Sequence, residues 1–308
     1  DGLFIGGNFW DGRATGWRLG NPSADQALGP FLNPVEQNNP SPQAVLEQIA
    51  SSKYIDLWEI VWGESLSWET FADIKKNYDR VGLAIAAYED SAEVNQFTSK
   101  FDYYMQGKVE LTEQEKTGMD LFNGKAKCAL CHPAPLFTDF TYDNLGVPKN
   151  PENPFYEMDM ELLDDGSPIN PQGNSWIDKG LGGFLRSLAA DGSWRALTYV
   201  TNVKDLSNGE LMSLANDNDG KHKVPTLRNV AKGFGKSFPK AYMHNGVFKS
   251  LKNVVHFYNT RDVENWPPPE VPQNVNTDEL GDLGLTDAEE DAIVAFMETL
   301  SDSYKVKK

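Results

Sequence analysis

The chain has 308 residues and a formal net charge of −17 at pH 7, because 45 acidic residues outnumber 28 Lys and Arg. This length predicts about two domains, and a hydrophobic content of 40% is enough for ordinary cores. The negative charge argues against binding to nucleic acid or anionic lipid and favours basic partners, although it is equally well explained by solubility. No apolar run of about 18 residues encodes a membrane span.

The first third of the chain predicts an irregular segment followed by helices. Residues 1–45 are rich in Gly, Pro and Asn with scattered aromatic residues, which is typical of an ordered but irregular segment. Apolar residues then recur at helical spacing from about Pro42 to Ile60 and again from Phe71 to Tyr88. Residues 91–108 connect two regions, so we place a domain boundary near Lys108.

Capping patterns predict three helices in the rest of the chain. Thr112 with Glu115 forms a capping box, and so does Thr286 with Glu289 near the C-terminus. Ser250 can cap the helix between them. The apolar stripes of the last two helices are Leu251, Val254, Val255 and Tyr258, and then Ile293, Phe296, Met297 and Leu300. Strand patterns are few, so the predicted class is mainly α.

Both cysteines of the chain lie in one pentapeptide, Cys128-Ala129-Leu130-Cys131-His132. This C-x-x-C-H spacing attaches a c-type haem: one turn places two thiols for the haem vinyl groups, and His132 then becomes the proximal iron ligand. A thioredoxin-like redox pair would leave the histidine without a role. A zinc site would need further ligands that a chain with four histidines barely has.

Six segments, in this order along the chain, resemble the bacterial diheme cytochrome c peroxidase and MauG superfamily. They are Phe9-Trp10-Asp11-Gly12-Arg13, Gln26-Ala27-Leu28-Gly29-Pro30, Asn33-Pro34-Val35-Glu36, Cys128 to His132 followed by Leu136-Phe137-Thr138-Asp139, Val224-Pro225-Thr226-Leu227-Arg228-Asn229, and Tyr242-Met243-His244-Asn245-Gly246. The resemblance implies two cytochrome-c-like domains with long irregular loops. Residues 1–108 would then be the remainder of the peroxidatic domain, and 109–308 the C-terminal haem domain with an insertion at about 148–220.

Family members carry two haems, and the motif at Cys128 matches the second of them. The Trp10 segment normally lies downstream of the first haem motif. We therefore expect the numbering to start inside a longer precursor whose N-terminal part carries the other haem. Two alternatives are that another polypeptide supplies that haem and that it has been lost.

The resemblance assigns roles to four residues near the first haem. Glu36 would be the acid and base that moves a proton between the peroxide oxygens, which requires partial desolvation. Gln26 would orient water or peroxide, and Pro30 would crowd the distal face. Trp10 would mediate electron transfer between the haems, with Trp17 as a rival because the chain between Trp10 and Gln26 is longer than in the family.

The resemblance also assigns metal ligands near the second haem. Tyr258 stands where the MauG-like branch has a tyrosine as the sixth iron ligand and the peroxidases proper have a methionine. A phenolate stabilises oxidised iron, whereas a thioether favours ferrous iron. Met243 is the alternative ligand. A calcium ion between the domains would use the backbone carbonyls of Pro239 and Ala241.

Three functions remain open from the sequence. The favoured one is a peroxide-using MauG-like enzyme that oxidises a protein or small donor through high-valent iron. The others are a conventional diheme cytochrome c peroxidase and an electron-transfer cytochrome without turnover. The expected partners are hydrogen peroxide together with either an electron donor, a small cytochrome or a cupredoxin, or a protein substrate. A homodimer is one possible oligomeric state. Haem c attachment in this family implies a periplasmic or extracellular location.

Overall fold

The computed structural model describes residues 4–192, 206–233, 238 and 240–306. Most regular structure there is helical, which confirms the predicted mainly α class. The helices are α1 (Pro22–Ala27), α2 (Gly29–Leu32), α3 (Pro42–Ala50), α4 (Asp56–Trp62), α5 (Phe71–Glu89), α6 (Lys100–Met105), α7 (Glu113–Asn123), α8 (Gly180–Asp191), α9 (Asn208–Asn216), α10 (Leu251–Thr260) and α11 (Asp287–Glu298). Two short strands, β1 (Tyr142–Asp143) and β2 (His222–Lys223), pair antiparallel.

The N-terminal helices α1 to α5 surround their own hydrophobic core, whose buried members are Leu28, Val45, Leu46, Trp58, Tyr78 and Val81. The long helix α5 begins where predicted, since the Thr70 side chain accepts a hydrogen bond from Asp73 N. The helical spacing predicted from about Pro42 to Ile60 is divided between α3 and α4, which are separated by turns at residues 51–55. Ser51 stands at this break, and its hydroxyl donates to the Gln48 carbonyl at 2.8 Å, so it competes for a backbone acceptor of the helix.

Helices α7 and α11 cross in the C-terminal part and hold the largest core. A Cβ atom at Gly118 of α7 would lie 2.5 Å from the carbonyl carbon of Ala292, so only glycine allows α11 this close. Buried phenylalanines fill the space beneath the crossing: Phe101, Phe122, Phe137 and Phe296. Both predicted capping boxes are present, and Ser250 caps α10. The cysteine pentapeptide follows α7 directly, so this crossing supports it.

The segment predicted as an insertion, 148–220, contains regular structure. Helices α8 and α9 pack on each other through Leu181, Leu185, Leu188, Leu211 and Ala215. The pairing of Asp143 with His222 in the two-stranded sheet then brings the end of this segment beside its beginning. No helix within the described ranges is long and apolar enough to cross a membrane. The domain boundary near Lys108 stays a prediction.

Candidate functional site

A cavity of about 690 Å³ lies next to the cysteine pentapeptide. Its walls come from the N-terminal segment, α1, α7, both strands, the turn at residues 241–246, α10 and α11. Apolar side chains such as Val224, Leu227, Val255 and Ile293 form much of the wall. The volume falls within the roughly 300–1,000 Å³ that small-molecule and cofactor sites occupy.

The two cysteines face this cavity as free thiols. They stand on one turn, and the backbone N–H of His132 donates to the carbonyl of Cys128 at 2.9 Å. Burial raises the pKa of both thiols to about 12. Redox-active cysteines instead have lowered pKa values, so the thioredoxin-like alternative does not fit this environment.

The imidazole of His132 lines the same cavity, and its Nδ1 lies 2.8 Å from the carbonyl oxygen of Phe137. Donation to this carbonyl places the proton on Nδ1 and leaves the Nε2 lone pair for an iron ligand. Burial lowers the pKa of His132, which favours the neutral ring that a metal requires.

Tyr258 and Met243 reach the cavity side by side. Tyr258 lies on the apolar stripe of α10, as predicted, and its hydroxyl is 3.8 Å from the Met243 sulfur. Burial raises the pKa of Tyr258 well above its usual range. Met243 sits in a tight turn with a left-handed φ of 70°, a conformation that carries strain in a residue with a side chain.

These residues together fit a c-type haem. The two thiols stand one turn apart, the ring of His132 is held by a carbonyl, and apolar walls enclose the space next to them. A haem bound here would be attached through Cys128 and Cys131 with His132 as proximal ligand. Tyr258 and Met243 line the same cavity and are the candidates for a further ligand of that iron.

Trp10 is held at the cavity wall by two hydrogen bonds. Its indole Nε1 donates to Asp178 Oδ2 at 2.8 Å, and its carbonyl accepts from the backbone N–H of Lys223 at 2.7 Å. Gln26, on α1, lines the same cavity. The rival Trp17 packs against the α8 and α9 cluster instead.

Glu36 and Pro30 lie on the N-terminal part of the molecule. The Glu36 side chain is exposed and accepts a hydrogen bond from Asn33 Nδ2 at 2.7 Å. An acid–base group is expected to be partly desolvated, but the described residues around Glu36 leave its carboxylate exposed to water. Pro30 is half-buried in the first turn of α2, where its missing N–H costs no helical hydrogen bond.

The predicted calcium ligands can be placed only in part. Pro239 lies outside the described residues. Ala241 lines the cavity at the start of the turn that carries Met243. The calcium site stays a prediction.

A polar cluster that was not predicted from the sequence lies beside Trp10. It is made of Asp178, His222, His244 and Glu270, all of which line the cavity. Burial opposes ionisation of Asp178, but the His222 imidazole and the Gly180 N–H outweigh it and lower its pKa to about 2. Burial also lowers the pKa of His244. The rarity of histidine, with four in the chain, was the signal available in the sequence.

Comparisons with known proteins identify the family of this chain. The family model for di-haem cytochrome c peroxidase matches residues 3–110. The methylamine utilization protein MauG of Paracoccus denitrificans is 32% identical over 98% of this chain and 69% of its own length. The cytochrome-c peroxidase IdrP1 of Denitromonas iodatirespirans is 31% identical over 71% of this chain and 48% of its own length.

The fold is also found in solved structures. The diheme peroxidase BthA of Burkholderia thailandensis superposes with a TM-score of 0.68 at 28% identity, covering 97% of this chain and 67% of that one. The chain thus spans about half to two thirds of the length of these relatives. Sequence and structure together show that the chain belongs to the diheme cytochrome c peroxidase and MauG family.

Proposed function

We propose that this chain is part of a MauG-like diheme oxidoreductase that uses hydrogen peroxide to oxidise a protein or small donor. The observation that carries the proposal is Tyr258, whose ring lines the same cavity as His132 and the two thiols. A tyrosine oxygen is a hard donor that favours oxidised iron. When bound, haem c supplies the iron that reacts with peroxide and stores oxidising equivalents.

The chain's own residues divide the remaining work. Cys128 and Cys131 fix the cofactor covalently, and the carbonyl of Phe137 orients the ring of His132. Because burial keeps Tyr258 protonated, its phenolate forms only against a strong positive charge such as ferric iron. The carboxylate of Asp178 orients the indole of Trp10 and favours positive charge on it.

Substitution of Tyr258 tests the proposal. Tyr258→Phe keeps the ring but removes the oxygen, so the ferric visible spectrum of the haem-loaded protein should change to that of an open or methionine-ligated site. Tyr258→Met should raise the midpoint potential by on the order of 100 mV, within the roughly 0.8 V range that axial ligands span. Spectroelectrochemistry measures both effects.

Tyr242→Phe is the matched control. Tyr242 also lines the cavity, but its hydroxyl donates only a long hydrogen bond of 3.4 Å to the Val230 carbonyl, so its loss should leave spectrum and potential unchanged. A ferric spectrum and a potential that are indifferent to Tyr258→Phe would exclude Tyr258 as a ligand. The proposed function would then be peroxide scavenging.

The second candidate is a conventional diheme cytochrome c peroxidase, which reduces peroxide with electrons from a small cytochrome. The observation that favours it is Met243, whose sulfur lies beside the Tyr258 hydroxyl and lines the cavity. A native spectrum that changes with Met243→Leu but not with Tyr258→Phe would select this function.

We infer three further properties of the whole protein from its family. The first haem, which the Cys128 motif does not attach, would bind against the surface that carries Gln26, Pro30 and Glu36. The electron donor or substrate would be a small cytochrome, a cupredoxin or a protein with basic surface, since the chain carries a charge of −17. Haem c attachment would place the protein in the periplasm or outside the cell.

A further inference from the structure

Two imidazoles and two carboxylates meet at the cavity wall beside Trp10. The rings of His222 and His244 stack with centroids 3.6 Å apart and planes 9° from parallel. Each ring has its own carboxylate: Asp178 Oδ1 lies 3.5 Å from His222 Nε2, and Glu270 Oε2 lies 3.2 Å from His244 Nε2. The ligand atoms of Asp178, His222 and His244 all lie within 4.8 Å of one another.

One nitrogen of this cluster is buried without a hydrogen bond. Among the residues that the structure describes, none forms a hydrogen bond with His222 Nε2. Its contact of 3.5 Å with Asp178 Oδ1 is longer than the normal range for N–H···O bonds. This nitrogen faces Asp178 Oδ1 across that distance, so the pair leaves room for a ligand that both atoms can bind.

The cluster also carries two negative charges away from solvent. The side chains of Asp178 and Glu270 are only 13% and 2% exposed. Over the described ranges, neither carboxylate forms an ion pair with Lys or Arg. Both accept hydrogen bonds, Asp178 from Trp10 Nε1 and Glu270 from Asn245 Nδ2, and a divalent cation bound beside them would offset the negative charge that remains.

We propose that Asp178, His222 and His244 bind a divalent transition-metal ion of the zinc class. Ligands about 2.1 Å from a tetrahedral ion stand about 3.4 Å apart, close to the separation between His222 and its carboxylate. Because a metal lies in the plane of each imidazole that binds it, both rings can bind one ion only after they turn out of their parallel stack. Three protein ligands leave a fourth position open to water.

The surroundings supply the outer-shell hydrogen bonds that metal ligands need. Asp178 keeps Oδ1 for the ion, while its Oδ2 accepts from Trp10 Nε1 at 2.8 Å. Glu270 lies beside His244 and is fixed by Asn245 Nδ2 at 2.9 Å and by the backbone N–H of Asp178 at 3.1 Å. The ion would therefore stand one carboxylate away from the indole.

This site differs in its ligands from the haem and calcium sites of the family. Its imidazole nitrogens suit zinc, copper, nickel or iron, whereas calcium takes oxygen ligands. It also uses neither the thiols nor His132. The site therefore belongs to a third metal, independent of whether the enzyme is MauG-like or a conventional peroxidase.

The test uses the haem-loaded protein, because the covalent haem survives treatment with a chelator. After dialysis against EDTA, the protein is titrated with zinc chloride by calorimetry, and bound zinc and iron are counted by elemental analysis. We expect one zinc ion per chain that excess calcium does not displace. His222→Phe retains a ring for the stack but removes a ligand, so zinc affinity should fall by roughly 100-fold or more.

Two variants complete the test. Asp178→Asn should weaken zinc binding comparably, and it replaces His222→Phe if that variant fails to fold. His256→Gln is the matched control, because His256 also contacts two carboxylates, Glu264 and Glu290, but on α10 outside the cluster. Zinc binding that is absent in the native protein, that persists in both cluster variants, or that disappears with His256→Gln would overturn the proposal.

Discussion

Replacing Gly118 with alanine should separate the two helices that support the haem-attaching turn. An added Cβ would lie 2.5 Å from the carbonyl carbon of Ala292 and 3.0 Å from Cβ of Phe296, and the first of these belongs to backbone that cannot rotate away. Carbon atoms pack at about 3.5–4.0 Å. The two helices must therefore move apart by about 1 Å.

Two opposing free energies set the size of the effect. Alanine is favoured over glycine within a helix by about 1 kcal/mol. A gap of about 1 Å, however, forfeits a quarter to a half of each dispersion contact across the crossing, and overpacking of this kind costs about 3 kcal/mol or more. We expect a net loss of about 2–3 kcal/mol, which lowers the melting temperature by roughly 4–12 °C.

The matched control is Gly209→Ala in α9. Its Cβ would meet nothing nearer than the Ser207 hydroxyl at 3.9 Å, so only the helical preference acts. This variant should gain about 0.5–1 kcal/mol. Thermal unfolding of the haem-loaded protein, followed by far-UV circular dichroism, compares the two. Equal or greater stability of Gly118→Ala would refute the steric argument.

Two further predictions concern other parts of the molecule. Glu36→Gln should leave two haems bound per full-length protein, as counted by the pyridine haemochrome assay. It should cut peroxide turnover by roughly 100-fold, which is the usual effect of losing an acid–base group. Unchanged turnover would remove Glu36 from the mechanism. Desolvation raises the pKa of Asp102, but hydrogen bonds from Arg228 and Ser99 outweigh it and hold that pKa below its usual value. The stability that Asp102 contributes is therefore complete above the unfolded pKa of about 3.9 and is lost as the pH falls through the lower folded value. Asp102→Asn should lower the free energy of unfolding at neutral pH and make its decrease in acid less steep, as urea titrations at several pH values would show. Parallel pH profiles of the native protein and the variant would contradict this prediction.

The features that the sequence predicted correctly are those determined locally. Thr112, Ser250 and Thr286 each cap a helix because the hydroxyl and its N–H partner lie within three residues of each other. Tyr258 faces the cavity because it follows Leu251 by two helical turns. The two thiols and the imidazole of the cysteine pentapeptide likewise lie within about one turn of the chain.

The features that the sequence did not reveal depend on distant contacts. Asp178 and Glu270 come from irregular segments, and no periodicity marks them. Asp178 meets His222 because Gly180 forms a bridge with Lys221, and Glu270 is placed beside His244 by the hydrogen bond from its N–H to Val147 O. The break at residues 51–55 was also missed, since the apolar periodicity continues through it.

The attachment of Trp10 has a consequence for how the molecule folds. Its indole is bonded to a residue 168 positions away in the chain, and its carbonyl is bonded to strand β2. Contacts of such high sequence separation form only after long loops have closed, which makes them late events in folding. The position of the N-terminal segment therefore depends on residues late in the chain, and truncation after residue 177 would leave Trp10 without either anchor.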